Sequence, residues 1–167
     1  MTDSTVARTL TIRPITPADD AAMAAVIRSV MTEHGAYGEG YSINDAEVDH
    51  MAEAYAGPLA AYFVVTDRER VVGGGGVAQL AGGAPNVCEL KKMYFLPEAR
   101  GVGMGRALLA RCLDAARERG YTLCYLETLS AMQDARRLYE RAGFTQIDAP
   151  MGATGHFSCD VWYVRAL

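Results

Sequence analysis

The chain switches repeatedly between a two-residue apolar period and a helical one, and these switches predict its elements. "RTLTIRPI" (8–15) alternates apolar and polar residues, as a first strand does. Thr16, Pro17 and Asp19 supply a cap, a first-turn proline and an acidic first turn. They open a helix that carries Met23, Val26, Ile27, Val30 and Met31 on one face. "HGAYGEGYS" is a glycine- and tyrosine-rich loop. Asn44 with Glu47 predicts another cap, ahead of a short helix through Val48, Met51 and Tyr55 that stops at Gly57-Pro58. "LAAYFVVT" and "RVVGGGGVAQL", joined by the charged turn Asp67 to Arg70, predict an antiparallel hairpin. After "AGGAPN", Val87 to Phe95 is a further strand, ended by Pro97.

The second half repeats the alternation. Gly105 to Arg119 is helical, with Leu108, Leu109, Cys112, Leu113 and Ala116 inward and Gly120 just past its end. "YTLCYLET" is a buried strand, Ala131 to Ala142 an amphipathic helix stopping at Gly143, and "FTQI" and "FSCDVWYVRAL" the last two strands. The order β-α-α-β-β-β-α-β-α-β-β describes an α/β domain over residues 1–167. Its sheet is mixed and mostly antiparallel, with about seven strands and four helices. The quartet Gly73 to Gly76 is unusual inside a strand. A bulge or a closely packed helix is the expected reason, with room for a ligand as the alternative.

Composition narrows the function classes. With 167 residues the chain fits one domain with a sizeable core. A net charge of −4 gives no broad basic footprint, so nucleic acid is not the expected partner. "MTDSTVARTLTIRP" lacks the apolar centre of a signal peptide, and no apolar run approaches a membrane span. Cys88, Cys112, Cys124 and Cys159 lack metal-ligand spacing. Free thiols, a cytoplasmic location and no metal are expected.

The chemistry gathers around "EARGVGMGRALLARCLDAARERG" (98–120), a glycine turn that opens a helix. A helix start leaves N–H groups unpartnered and carries partial positive charge, so a turn stripped of β-carbons can take a phosphate. A turn used only for packing is the alternative. A dinucleotide fingerprint would need glycine at Arg106 or Leu108, and no Gly-Lys-Ser/Thr triplet exists for a P-loop. Arg100-x-x-Gly103-x-Gly105 instead resembles the acyl-CoA pyrophosphate loop of the GNAT superfamily of N-acetyltransferases. "ELKKMYFLPEARGVGMGRALL" resembles that family's fourth strand, loop and third helix, and "LETLSAMQDARRLYERAGF" its fifth strand and fourth helix. The element order matches along the whole chain.

The resemblance implies transfer of an acetyl group from acetyl-CoA to a primary amine, of a small molecule or a protein, by direct attack. It places the cofactor on Met93, Tyr94 and Phe95, through their backbone, and on Arg100, Gly101, Val102, Gly103, Met104, Gly105 and Arg106. It makes Tyr139 the general acid near the cofactor sulfur. Two glutamates compete as base: Glu127 matches the protein-amino-terminal branch and Glu89 the histone-lysine branch. A base matters because a lysine-like amine costs roughly 4–5 kcal/mol to deprotonate at pH 7, and an α-amine about 1–1.5. The family's usual asparagine before the tyrosine is Met132 here, which cannot offer amide hydrogen bonds. A non-catalytic acyl-CoA-binding module on the same fold is the alternative function.

For the acceptor, the resemblance points to the loop after the first helix and to the last two strands. Glu33, His34 and Tyr37, with Glu39 and Tyr41 beside them, stand in the first, and His156, Cys159 and Asp160 in the second. Glu33, His34, Tyr37 and His156 are the expected acceptor contacts, and Cys159 an inert thiol. A homodimer through the last strands would suit the family.

Overall fold

The computed structural model describes residues 8–167. Residues 1–7, part of the stretch read above for a leader, lie outside the described residues. Seven strands form one sheet: β1 (Leu10–Pro14), β2 (Ala61–Asp67), β3 (Arg70–Gln79), β4 (Val87–Phe95), β5 (Leu123–Thr128), β6 (Thr145–Ile147) and β7 (Val161–Ala166), in the order β1-β2-β3-β4-β5-β7-β6. Neighbours are antiparallel except β4 and β5. Those two are joined by the helix α3 (Met104–Glu118), as a parallel pair must be joined by a long crossover.

Strand β2 explains the two-layered core. Ala61, Phe63 and Val65 point into one apolar cluster with Leu108, Leu109 and Cys112 of α3. Tyr62 and Val64 point the other way, onto Met23, Val26 and Ile27 of α1 (Asp20–Glu33). A strand buried on both faces is apolar throughout, which is why "AYFVV" shows no alternation. The short α4 (Gln133–Arg141) lies on the α3 side and brings Tyr139 into that cluster. No helix among the described residues is long and apolar enough to cross a membrane.

Local signals worked where their partners were near in sequence. The Thr16 amide donates to Asp19 Oδ2 at 2.8 Å, as a reciprocal cap requires, and Arg13 adds a two-pronged bond to the same carboxylate at 2.7 and 2.8 Å. The region after Asn44 differs from expectation. The Asn44 amide reaches back to the Gly38 carbonyl at 2.7 Å, so it caps nothing. The chain instead makes two single 3-10 turns, Ser42–Asn44 and Ala46–Asp49, before the one-turn α2 (Met51–Ala54).

The glycine quartet is a packing device. A β-carbon on Gly76 would sit 2.4 Å from the Ala61 carbonyl oxygen, and one on Gly74 would sit 2.7 Å from Met23 Sδ. One on Gly75 would press Met93 and Leu108 at 3.1 and 3.2 Å. At Gly74 and Gly75, helices α1 and α3 thus approach β3 from opposite faces with no side chain to hold them off. Gly76→Ala is expected to lower stability by about 1–3 kcal/mol. Gly57→Ala, at an open position with ordinary φ, serves as control and should stay within roughly 0.5 kcal/mol. Urea unfolding of the two variants checks the difference.

Candidate active site

The site begins with a parting of strands. β4 and β5 pair only at Val87↔Leu123, Cys88↔Cys124 and Glu89↔Tyr125, although β4 runs on to Phe95 and β5 to Thr128. Beyond Glu89, one edge of β4 still pairs with β3 while the other faces an open wedge. A bulge accompanies the divergence. The β3–β4 register slips so that Gly74 faces Tyr94 and Gly76 faces Lys91, leaving one extra residue on β4. Lys92 takes the turn with φ of 50°, a left-handed conformation that lysine adopts only when held there.

Three contacts hold it. Tyr62 donates its hydroxyl to the Lys92 carbonyl at 2.7 Å. The Lys92 ammonium, 1% exposed, binds Asp45 Oδ2 at 2.6 Å and Glu47 Oε1 at 2.5 Å. Lys91 meets the same Glu47 carboxylate at 3.0 Å.

On one side of the wedge a long groove runs between β4, the start of α3, and α4. Met93, Tyr94, Phe95, Arg100, Gly101, Gly103, Gly105, Arg106, Met132 and Tyr139 are among its walls. Gly101 and Gly103 have φ of 72° and 83°, and nothing lies within 4 Å of a β-carbon built on either. Glycine is required there by backbone conformation, and the face it leaves bare opens on the groove. Gly103 caps α3 with no side chain in the capping position. The first helical bond runs from Ala107 N to Gly103 O, so the N–H groups before it lack intrahelical partners. Arg106 and Arg165 line the groove with no carboxylate partner among the described residues. Val102 is exposed at the turn and Met104 packs its side chain on the core.

Tyr139 lines both this groove and the cleft on the other side of the wedge. It is 7% exposed, stacked edge-on to Phe144, and burial raises its pKa, so the phenol keeps its proton. Met132 caps α4 and stands between the same two spaces. Its thioether accepts a contact from the Thr128 hydroxyl at 3.9 Å and gives the groove an apolar wall.

The far cleft holds the titratable groups. Glu89, Glu127 and His156 each place a polar atom within 4.8 Å of the others. Glu89 is 5% exposed, and no hydrogen bond reaches its carboxylate among the described residues. Burial lifts its pKa to about 7, opposed mainly by Lys91. Glu127 is raised in the same direction by burial, and its Oε1 is enclosed without a partner. Burial would lower His156, but the bond and charge of Asp45, with the charges of Glu89 and Glu127, raise it above its ordinary value. Its Nε2 lies 3.0 Å from both Asp45 oxygens. Cys159 lines the same cleft with its thiol pushed up to about 12 by burial and by these carboxylates, so it stays protonated.

The other acceptor candidates lie elsewhere. Glu33 forks onto the Arg100 guanidinium with two 2.8 Å bonds, and Arg100 Nε binds the Phe95 carbonyl at 2.9 Å. This pair ties the end of α1 to the glycine turn. His34 lines the groove side, bonded through Nδ1 to the Val30 carbonyl, and Tyr37 is 63% exposed and lines neither space. Sequence reasoning passed over Asp45, Glu47, Lys91 and Lys92. The adjacent lysines in a largely apolar strand were the available signal.

The comparisons agree with this architecture. The Acetyltransferase (GNAT) family pattern matches residues 26–144. The chain is 43% identical over 157 residues to the uncharacterized N-acetyltransferase YjgM of Escherichia coli K12, covering 93% of this chain and 94% of that one. A GNAT-family acetyltransferase of Staphylococcus aureus Mu50 shares the fold with a TM-score of 0.81 at 19% identity, over 95% of this chain and 99% of that one. So does yncA of Salmonella typhimurium, solved with its cofactor acetyl-CoA, with a TM-score of 0.73 at 21% identity, over 95% and 94% of the two chains. By family pattern and by full-length likeness to an N-acetyltransferase, the chain belongs to the GNAT acetyltransferase family and is an acyltransferase.

Proposed function

We propose that the protein moves an acetyl group from acetyl-CoA to a primary amine by direct attack. The parting of β4 and β5 carries this reading. It joins an anion-ready helix start on one side to a pair of carboxylates on the other, Glu89 buried and Glu127 half-buried, with Tyr139 at the junction. The bare turn at Gly101 and Gly103 suits a diphosphate, and the unpaired edge of β4 at Met93 to Phe95 suits an amide-bearing arm. Acetyl-CoA, the cofactor in the Salmonella structure, supplies the activated thioester.

The chain's residues then divide the work. Glu89, with its pKa near 7, can take a proton from an ammonium and pass it to solvent within the physiological range. Glu127 beside it keeps the pair acidic enough to draw the amine in, and raises Glu89 by like charge. Tyr139, protonated at every relevant pH, donates a hydrogen bond to negative charge that develops on the departing sulfur. Met132 presents an apolar wall where related proteins carry an amide, so β4's backbone does the holding on the opposite side. Arg100, fixed to Glu33 and Phe95, sets the position of the turn.

Three outcomes are expected. Tyr139→Phe lowers kcat by about 10- to 100-fold with the affinity for acetyl-CoA retained, measured by thiol release and calorimetry; unchanged turnover removes Tyr139 from the chemistry. Activity rises with pH through about 7 as Glu89 ionises, because the carboxylate is the working form. Glu89→Gln erases that limb of the kcat/KM profile; a profile that keeps it assigns the base elsewhere. Gly103→Val, at φ of 83°, weakens acetyl-CoA binding at least about tenfold, and normal binding overturns the groove assignment.

A further inference from the structure

The segment 148–160 crosses the cleft as a strap, and its anchors come from four directions. Met151 N donates to the Tyr125 hydroxyl at 3.1 Å, and Ala153 N to the Ala81 carbonyl at 2.7 Å. His156 Nε2 meets Asp45 at 3.0 Å. Ser158 Oγ donates to the Glu39 carbonyl at 2.6 Å, and its amide to the Gly40 carbonyl at 3.2 Å. Asp160 closes the run by accepting from the amide and hydroxyl of Ser130 at 2.8 and 2.7 Å. Gly40 is needed where the strap lands, since a β-carbon there would meet Phe157 and Ser158 at 2.7 and 2.6 Å. Phe157 itself turns outward and is 77% exposed.

Two consequences bear on what can enter. An extended peptide docks by pairing with unsatisfied backbone groups along a groove. Here the strap's amides at Met151, Ala153, Ser158, Cys159 and Asp160 are already bound within the chain. Glu89 is almost wholly buried, in a cleft whose walls include His156 and Cys159 of the strap. The charges in the cleft are also nearly matched. Asp45, Glu47, Glu89 and Glu127 face Lys91, Lys92 and His156, which leaves one negative charge over when all are ionised. The two carboxylates without an ion-pair partner, Glu89 and Glu127, are the two at the wedge.

Resting on the acetyl-transfer reading, we infer that the acceptor is a small amine bearing one positive charge, taken up as its ammonium, and that the strap excludes peptide and protein acceptors. The ammonium fills the missing charge between Glu89 and Glu127. One ammonium proton leaves to Glu89, and the nitrogen lone pair forms the bond to the acetyl carbon. The carbon–sulfur bond breaks with its electron pair going to sulfur, and the surplus proton left on nitrogen passes to that sulfur, which gives the neutral amide and the free thiol.

The test sets two acceptor panels against the purified protein with acetyl-CoA, following thiol release. One panel holds alkylamines, arylalkylamines and amino-acid amides; the other holds peptides with a free amino terminus or an internal lysine, and a folded protein. The expected result is kcat/KM at least about 100-fold higher for the best small amine than for any peptide. His156→Ala combined with Ser158→Ala should raise hydrogen exchange across 148–160 and narrow that gap by raising peptide turnover. Peptide turnover equal to or above that of the small amines in the unaltered protein overturns the inference and leaves acetyl transfer standing. So does an unchanged gap in a double variant whose strap exchanges faster. Turnover of neither panel, with acetyl-CoA bound in calorimetry, overturns the acetyl-transfer reading itself and the inference with it.

Discussion

Lys92 is the residue on which the site depends. A buried ammonium is tolerable only with close counter-charges, and Asp45 and Glu47 supply both. Those contacts, with the Tyr62 hydroxyl on its carbonyl, hold a lysine at a backbone angle that side chains disfavour. The bulge so fixed lies just beyond the point where β4 leaves β5, and the groove and the carboxylate cleft on the two sides of that wedge share Met132 and Tyr139 as walls. Asp45 also holds His156, so one carboxylate links the strained strand to the strap over the cleft.

The rest of the fold serves to bring this strand close to both helix layers. With glycine at 73 to 76, β3 is thin enough for α1 to seat Met23 on one face and for α3 to seat Leu108 on the other. The helix that opens at the glycine turn is thereby pressed against the strand that carries the bulge. Tyr139 is reached from the same core, through Phe144 and Tyr163, which places a protonated phenol at a fixed point between groove and cleft.

Elements with local causes were legible in the amino-acid order. The glycines of the turn announced a helix start open to an anion, whereas Tyr139 was singled out by the family resemblance and proves to be the buried residue of α4. The choice between Glu89 and Glu127 was not readable, because it is a matter of distance: they stand on neighbouring strands that meet at Glu89 and Tyr125 and bring both carboxylates into one cluster. Asp45 and Glu47 were hidden for a related reason. Their partner is a lysine on a distant strand, and only burial turns a pair of loop acids into a structural anchor. Glu33 was an expected acceptor contact, yet the length of α1 carries it to the opposite side, against Arg100.

That fork between Arg100 and Glu33 shapes how tolerant the donor turn can be. The guanidinium arrives with its charge already matched, so in the proposed reaction the grip on an anion falls to main-chain N–H groups. Every residue but proline carries such a group, so the exposed side chain at 102 is not needed for the grip and that of Met104 is left to pack on the core. The left-handed backbone angles at 101 and 103 leave no such freedom, so a donor turn built on main-chain groups is fixed by its two glycines rather than by its side chains.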